Sequence, residues 1–346
     1  MHLCQYTNKE YITAQERPEL SELIKTCWVI SSGIAGTENQ AVGIAEALGI
    51  HPVIKRIKLK APWRQLSPWL TLGHARALAA DSDPIEAPWP DLVIASGRQS
   101  IGIARHVREK SKGHTFTVQV QDPRVDPHQF DLVIVPQHDP TRGDNVIVTK
   151  ASTHRVTKQQ LAAAAVKFAP DFEKIPHPRV GVLIGGNSKT HRMTPDNTRM
   201  LAEMLMGLVD HRETGLLVTC SRRTGPDNEA MLRKMLDHPQ IFFWDGQGEN
   251  PYFGLLALSD YIVVTEDSVS MTSEALSTGK PVYIASMEGG AARHDQFHRM
   301  LEDQGYTRPF TGMLEKWSYT PPDDTHYVAA EIRQRMKARA WNARQA

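Results

Sequence analysis

Cysteine is scarce in this sequence. The three cysteines, Cys4, Cys27 and Cys220, are odd in number and lie far apart in a chain of 346 residues. Their positions match no metal-ligand spacing and no disulfide framework, which favours a reducing compartment. The sequence therefore predicts a cytoplasmic protein without structural disulfides.

Long hydrophobic runs and an excess of one charge are also missing. No apolar run approaches the roughly 20 residues that cross a bilayer, although peripheral association with a membrane is compatible with this composition. The 40 basic and 39 acidic residues give a formal net charge of +1, which does not indicate a nucleic-acid partner. Residues 1–24 have no signal-peptide core, and Glu10, Glu16 and Glu19 argue against a transit peptide. We expect these residues to be a poorly ordered lead-in.

Short apolar runs rich in β-branched residues alternate with helix-like segments along the chain. The runs lie at 27–31, 52–57, 91–96, 116–121, 131–136, 145–149, 179–186, 215–220, 241–246, 260–266 and 281–286. Near-continuous apolar runs of this length suit parallel strands that are covered on both faces. Helical periodicity fills the spaces between them, for example at 37–49, 194–210 and 226–237. The alternation predicts an α/β fold with open parallel sheets.

The order of strands, glycine-containing loops and helices occurs twice. A strand, loop and helix at 28–49 is followed by the same pattern at 180–209. We therefore expect two Rossmann-like domains, over 25–170 and 177–318, whose parallel sheets face each other across a cleft. The joint falls at 167–179, where three prolines disfavour continuing either a helix or a strand. The basic segment 319–346 predicts a C-terminal helix that crosses back over the joint.

One stretch, from residue 263 to 284, holds many hydroxyl and carboxyl groups between two apolar runs. In an open parallel sheet, ligands bind beyond the carboxyl ends of the strands, where helices begin. A helix capped by Asp267 or Ser268 would present free N–H groups and a positive dipole end, which suit phosphate. Glu274, one turn beyond Ser270, could accept hydrogen bonds from two ribose hydroxyls. The alternative is a capped helix with a solvated Glu274.

Two glycine-containing loops could also face a ligand. The first holds Gly33, Gly36, Thr37 and Asn39, and its Gly-x-x-Gly spacing fails the dinucleotide fingerprint. It predicts either a substrate-facing loop or a tight turn capped by Thr37.

The second loop holds Gly185, Gly186, Asn187 and Lys189. Ser188 stands where a phosphate loop of an ATPase needs glycine before the lysine, so we reject an ATPase. Backbone amides and one ammonium group could still approach a ligand closely. The alternative is a plain loop between a strand and a helix.

Two smaller groups of charged residues follow other strands. Asp122 and Arg124 lie in a loop broken by proline, where they could face the cleft or only shape the loop. Arg293 and His294 follow a Gly–Gly turn and could contact a diphosphate or form a solvated face. His294 and His298 are four residues apart, but no HExxH pattern and no third ligand accompany them. We predict no metal site and no cofactor.

The segments "GIAGTENQAVGIAEALG", "QVQDPR", "LIGGNSK" and "VTEDSVSMTSEALSTGKPVYI", in this order over about residues 27 to 312, resemble the mitochondrial fission elongated-mitochondria-type family. The combination DSVSM–SEA–TGKPVY is the most specific of them. Plant members are described as adaptors that bring a dynamin-related GTPase to the outer mitochondrial surface. The resemblance therefore implies one alternative function, a non-catalytic adaptor with a protein partner.

That family in turn resembles the two-domain GT-B glycosyltransferases. The resemblance implies that a nucleotide-sugar or nucleoside diphosphate is held without a metal. Its diphosphate would meet Ser268, Val269, Ser270, Met271 and Thr272, and its ribose would meet Glu274. The implied reaction is glycosyl transfer to an unknown acceptor, and a nucleotide-sugar epimerase is a further alternative.

The catalytic base is where this sequence departs from the lipid-linked muramyl peptide transferase of that fold. There the N-terminal glycine loop supplies a histidine, and here the corresponding residues are Thr37 and Glu38. Glu38 could accept a proton from an acceptor hydroxyl. It could equally cap its own helix.

Overall fold

The computed structural model describes residues 23–69, 74–212 and 214–345. Residues 1–22, which make up nearly all of the expected lead-in and include Cys4, lie outside the described residues. The strands are β1 (Cys27–Ser31), β2 (Val53–Arg56), β3 (Leu92–Ser96), β4 (Phe116–Val120), β5 (Leu132–Pro136), β6 (Val146–Thr149), β7 (Arg179–Ile184), β8 (His191–Arg192), β9 (Gly215–Cys220), β10 (Ile241–Phe243), β11 (Tyr261–Thr265), β12 (Val282–Ala285), β13 (Glu288–Gly289) and β14 (Thr307–Pro309). The helices are α1 (Ala35–Ala47), α2 (Trp63–Leu66), α3 (His74–Ala77), α4 (Ile101–Lys110), α5 (Lys158–Phe172), α6 (Pro195–Arg212), α7 (Pro226–Met235), α8 (Tyr252–Leu258), α9 (Val269–Leu276), α10 (Ala292–Asp303) and α11 (Asp324–Gln345).

The N-terminal sheet is parallel, with strand order β2-β1-β3-β4-β5-β6. Its four central strands are buried along their whole length, and Val29 pairs with Ile94 at the middle of the sheet. Helices cover both faces, so apolar residues that point to either side are removed from water. This burial explains why the strand sequences are continuous apolar runs rather than alternating ones.

The C-terminal sheet is also parallel, with order β10-β9-β7-β11-β12-β14. Strands β7 and β11 are neighbours here, as β1 and β3 are in the first sheet, and the chain changes direction across the sheet between them. Crevices at such switch points are where open α/β sheets bind ligands. Helix α1 begins at the first switch point and helix α9 at the second.

The two domains are not simply divided at residues 170–177, because two helices cross between them. Helix α5 runs through Pro170 to Phe172, and Phe168 and Phe172 are buried with Leu255 and Leu276 of the C-terminal domain. This apolar burial outweighs the one backbone hydrogen bond that proline removes near the helix end. Helix α5 therefore packs with the C-terminal domain although it precedes the joint.

Helix α11 returns to the N-terminal domain. Its Val328, Ile332 and Met336 are buried in the same apolar cluster as Val29 of β1. At the start of the helix, the Asp324 carboxylate accepts hydrogen bonds from the backbone of Lys150 and Ala151. The chain thus crosses the interdomain joint a second time. No helix in the described part of the chain has the length and apolar character needed to cross a membrane.

Candidate functional site

The carboxyl ends of the two sheets enclose a cleft of about 1220 Å³. The first turns of α1 and α9 both form part of its wall, and this size accommodates a ligand larger than a single nucleoside. The cleft is lined by these residues predicted from the sequence: Gly36, Thr37, Asn39, Asp122, Arg124, Lys189, Ser268, Val269, Ser270, Met271, Glu274, Arg293 and His294.

The two helix starts touch at one point. The Ser270 hydroxyl donates to the Gly36 carbonyl at 3.3 Å and accepts from the Gln40 amide at 3.2 Å. A Cβ atom at Gly36 would lie 3.1 Å from the Ser270 oxygen, so glycine permits this close approach. The N-terminal domain therefore covers one side of the α9 start, and the remainder faces the cleft.

The first turn of α9 is capped by Ser268, whose hydroxyl accepts from the Met271 N–H at 3.3 Å. The N–H groups of Val269 and Ser270 are in the first turn and have no partner within the helix by geometry. Thr272 is completely buried, and its hydroxyl donates to the Ser268 carbonyl. Ser268, Val269, Ser270 and Met271 thus face the cleft, whereas Thr272 supports the turn from behind.

Glu274 lies on the cleft wall and is only 7% exposed. The Tyr252 hydroxyl donates to Glu274 Oε2 at 2.5 Å, and no described residue forms a hydrogen bond with the other oxygen, Oε1. Burial raises the pKa of the Glu274 carboxyl to about 7, although the Tyr252 hydrogen bond favours the charged form. One carboxylate oxygen is therefore available to a ligand in a site with little water.

The glycines of the second loop have a structural reason for their identity. A Cβ atom on Gly185 would overlap the Asp267 carboxylate, and one on Gly186 would overlap the Arg223 carbonyl. Asp267 accepts hydrogen bonds from the Gly186 N–H and the Thr265 hydroxyl and pairs with Arg223 at 2.7 Å. Gly185 and Gly186 do not line the cleft; they let the loop pack against Asp267.

The other two predicted residues of that loop differ in their roles. Asn187 is held as a turn residue, because its side-chain oxygen accepts from the Met193 N–H at 3.0 Å. Lys189, by contrast, is exposed at the cleft wall and has no ion pair among the described residues. Of the four loop residues predicted from the sequence, Lys189 is therefore the one that lines the cleft.

Sequence reasoning missed several cleft residues on the loops after β9 and β10 and at the start of α8. They are Arg222, Arg223, Trp244, Asn250, Tyr252 and Phe253. The position of "SRRTG" directly after a buried strand was the available signal for the two arginines. The aromatic residues belong to segments that look like core, and their place at the cleft depends on tertiary packing.

Glu38 lies outside the cleft wall. Its carboxylate accepts from the Ser31 hydroxyl at 2.6 Å and from the Arg56 guanidinium at 2.8 and 3.1 Å. The Arg56 hydrogen bonds lower its pKa, so the carboxylate is a weak base. Gly33, with a φ of 77°, is exposed and is not part of the cleft wall, and its N–H donates to the Ser31 hydroxyl. These two residues shape the turn before α1.

Arg293 joins the two domains across the cleft. Its guanidinium contacts Asp122 at 3.4 Å and Asp139 at 3.2 Å. Both carboxylates belong to the N-terminal domain and are nearly buried, which leaves them dependent on this cation. Asp122 also accepts from the Arg124 N–H, where φ is 56°. The predicted charged residues of the two domains are thus in contact, but the Arg293 guanidinium already forms ion pairs with two carboxylates of the protein.

Three histidines lie around this contact. Burial lowers the pKa of His294 and of His298, and it lowers the pKa of His138 to about 4. All three are neutral at pH 7 for this reason. Within the described residues, no three or more His, Cys, Asp or Glu side chains are placed to hold a metal ion.

Solved structures with the same two-domain architecture show what the fold is. The chain superimposes on a protein of Listeria monocytogenes assigned as a UDP-N-acetylglucosamine 2-epimerase with a TM-score of 0.51 and 13% identity, over 89% of this chain and 95% of that chain. It superimposes on the S. aureus MnaA–UDP co-structure with a TM-score of 0.50 and 12% identity, over 92% and 97%. The predicted fold, two Rossmann-like domains of the GT-B type, is confirmed.

Sequence comparison identifies the family. The chain is 29% identical over 400 aligned residues to "Mitochondrial fission protein ELM1" of Arabidopsis thaliana, and the alignment covers 93% of each chain. The family described as Mitochondrial fission ELM1 matches residues 35–336, a range that includes both cleft helices and every strand of the two sheets except β1. The resemblance expected from the motifs is therefore confirmed, and the chain belongs to the mitochondrial fission ELM1 family.

Proposed function

We propose that the cleft binds a nucleoside diphosphate sugar and that the protein transfers its glycosyl group to an acceptor held by the N-terminal domain. The observation that carries this proposal is the arrangement at α9. The first-turn N–H groups of α9 have no partner within the helix, and one turn beyond them lies the buried Glu274 carboxylate, whose Oε1 has no hydrogen-bond partner among the described residues.

The diphosphate would lie at the first turn of α9. The Val269 and Ser270 amides and the helix dipole favour an anion there. Lys189 and Arg222 line the same cleft and have no ion pair among the described residues, so their charges are available. These groups would stabilise the diphosphate as it leaves the sugar, which removes the need for a metal ion.

The nucleoside would lie toward Glu274. A carboxylate oxygen free of protein partners can accept hydrogen bonds from the hydroxyls of a ribose, and the Tyr252 hydroxyl holds the other oxygen in place. Phe253, next to Tyr252 in the chain, and Trp244 line the same cleft and offer aromatic surface for a base. The C-terminal domain would thus hold the whole donor nucleotide.

An epimerase is the second candidate, because the S. aureus neighbour is a co-structure with UDP and the Listeria neighbour is assigned as an epimerase. Proton transfer at a sugar carbon needs free carboxylates or similar groups on the N-terminal side. Asp122 and Asp139 are both engaged with Arg293, and Glu38 lies behind the wall. None of these three carboxylates is therefore free to move a proton in either reaction, so the choice between transfer and epimerisation rests on product analysis.

Isothermal titration calorimetry against UDP, GDP, ADP and CDP tests the binding step. We expect a Kd between about 1 μM and 1 mM for one of them, as is usual for enzyme substrates. Glu274→Ala removes hydrogen bonds to a charged group and should weaken binding at least about tenfold. Glu203→Ala, on the exposed face of α6, is the matched control and should bind as the wild type does.

The outcome that contradicts the proposal is no heat with any nucleoside diphosphate at millimolar concentration. That result, together with a protein partner bound equally well by Glu274→Ala, would support a non-catalytic adaptor. With a bound nucleotide established, mass spectrometry of its sugar derivative separates the two enzymes. An epimerase converts the nucleotide-sugar alone to an isomer, whereas a transferase releases the nucleoside diphosphate only with an acceptor.

A further inference from the structure

A surface of the N-terminal domain next to the cleft combines exposed apolar and basic side chains. We name it the Trp69 patch, and it consists of Lys60, Arg64, Leu66 and Trp69. Leu66 is 48% exposed and Trp69 is 63% exposed. Lys60 and Arg64 are exposed as well, and neither forms an ion pair with a described residue. Exposed apolar residues are common singly, but a tryptophan and a leucine beside unpaired cations suggest a partner.

The patch is held firmly by the domain beneath it. Trp63, in the middle of the segment, packs on the buried cluster that contains Leu59 and Ile101. The buried Ser67 donates its hydroxyl to the Arg98 carbonyl at 2.8 Å, and the Leu59 N–H donates to the Gln99 side chain. Leu66 and Trp69 therefore project to solvent from an anchored segment.

The chain segment that carries the patch contains charge of one sign. Between Glu46 and Asp81 the sequence contains no acidic residue and six lysines and arginines. Two of these cations are neutralised elsewhere in the fold, Arg56 by Glu38 and Lys58 by Asp81. Lys60 and Arg64 are not. An anionic surface complements this charge, and an apolar or cationic partner does not.

The patch also adjoins the cleft. The Arg98 guanidinium donates to the Arg64 carbonyl at 3.1 Å, and Arg98 itself lines the cleft wall. Whatever binds the patch therefore lies beside the mouth of the cleft on the N-terminal side.

We propose that the Trp69 patch docks on the surface of an anionic lipid bilayer. Tryptophan is enriched at the level of lipid headgroups, where its ring is partly buried and its N–H stays hydrated. Lys60 and Arg64 would contact anionic headgroups, and Leu66 would enter the boundary with the acyl chains. Docking in this way brings the cleft mouth to the membrane, and the interaction does not depend on a bound nucleotide.

Vesicle flotation of the full chain tests the proposal, with vesicles of phosphatidylcholine alone or with 30 mol% phosphatidylserine. We expect the protein to float with the anionic vesicles and at least about tenfold less with the neutral ones. Screening in 0.5 M NaCl should release most of it. The paired variants Lys60→Gln with Arg64→Gln, and Leu66→Gln with Trp69→Gln, should each lower the bound fraction at least about fivefold.

Matched controls lie on other surfaces. Val166→Gln replaces an apolar residue that is 80% exposed on α5, and Lys234→Gln removes an exposed cation of α7. Both should float as the wild type does. All variants should unfold at the wild-type temperature because the substituted residues are exposed. Equal flotation with neutral and anionic vesicles would overturn the proposal. So would undiminished flotation of both paired variants, or binding of an acidic protein by the patch with no affinity for either vesicle.

Discussion

Replacing Glu274 by glutamine should stabilise the free protein at alkaline pH. The buried carboxyl has a pKa of about 7 in the folded protein, against 4.5 for an ordinary glutamate. Between these values the folded chain holds a proton that the unfolded chain releases, so the free energy of unfolding falls as the pH rises through this window. Glutamine cannot ionise, so the free energy of unfolding of the Glu274→Gln variant does not fall in this way.

The magnitude follows from the shift. A difference of about 2.5 pKa units corresponds to about 3 kcal/mol at 1.36 kcal/mol per unit. Glutamine can accept the Tyr252 hydrogen bond, but its amide N–H groups need new acceptors, which offsets about 1 kcal/mol of the gain. We expect Glu274→Gln to be more stable than the wild type by about 2 kcal/mol at pH 8 and slightly less stable at pH 4.5, where only the cost of the amide remains.

Differential scanning calorimetry across pH 4.5 to 8.5 measures this difference. Tyr252→Phe provides a second test, because it removes the hydroxyl that stabilises the charged carboxylate. In that variant the pKa of Glu274 should rise further, and the loss of stability should continue to higher pH. A Glu274→Gln protein that is less stable than the wild type at pH 8, or whose difference from it does not change with pH, would refute the reasoning.

Four further outcomes are expected. The affinity for the nucleoside diphosphate should be about tenfold lower at pH 6 than at pH 8, by calorimetry, because the ionised form of Glu274 falls from about 90% to about 10%. Gly185→Ala should lower the free energy of unfolding by at least about 2 kcal/mol, since its Cβ atom would overlap the Asp267 carboxylate. Arg293→Gln should loosen the interdomain contact and increase the radius of gyration in small-angle scattering, whereas an unchanged profile would show that the contact does not hold the domains. Glu38→Gln should keep nucleotide affinity within about twofold and slightly lower the midpoint of urea unfolding at pH 7, because the Arg56 partner of the pair is largely exposed; because the pKa of Glu38 is lowered in the folded state, this stability difference should shrink as the pH falls below 4.5.

The sheets could be predicted from the sequence because parallel strands are buried on both faces. Each of the eleven predicted runs contains a strand, and β1 and β9 have the predicted ends. The ribbon of β8 and β13 and the edge strand β14 were missed, because strands of two or three residues carry no periodicity. The prolines of 167–179 were predicted to disfavour a helix, but helix α5 continues through Pro170 to Phe172, where aromatic packing stabilises its last turn.

The candidate site was predictable where it depends on local geometry. Strand β11, the Ser268 cap and the helix after it follow from a strand, a turn and an amphipathic segment in sequence, and Gly279 has the positive φ of 73° expected after a helix end. The role of Gly185 depends on contact with a residue 82 positions away and gave no local signal. The engagement of Glu38 by Arg56 and of Arg293 by two carboxylates is likewise a product of tertiary structure.

A crystal structure with UDP, or with whichever nucleoside diphosphate binds in calorimetry, tests the central claim most directly. The account predicts phosphate oxygens within about 3.2 Å of the Val269 and Ser270 amide nitrogens and ribose hydroxyls at the same distance from Glu274. Density for the nucleotide elsewhere on the protein, or a diphosphate that turns away from the start of α9, would contradict it.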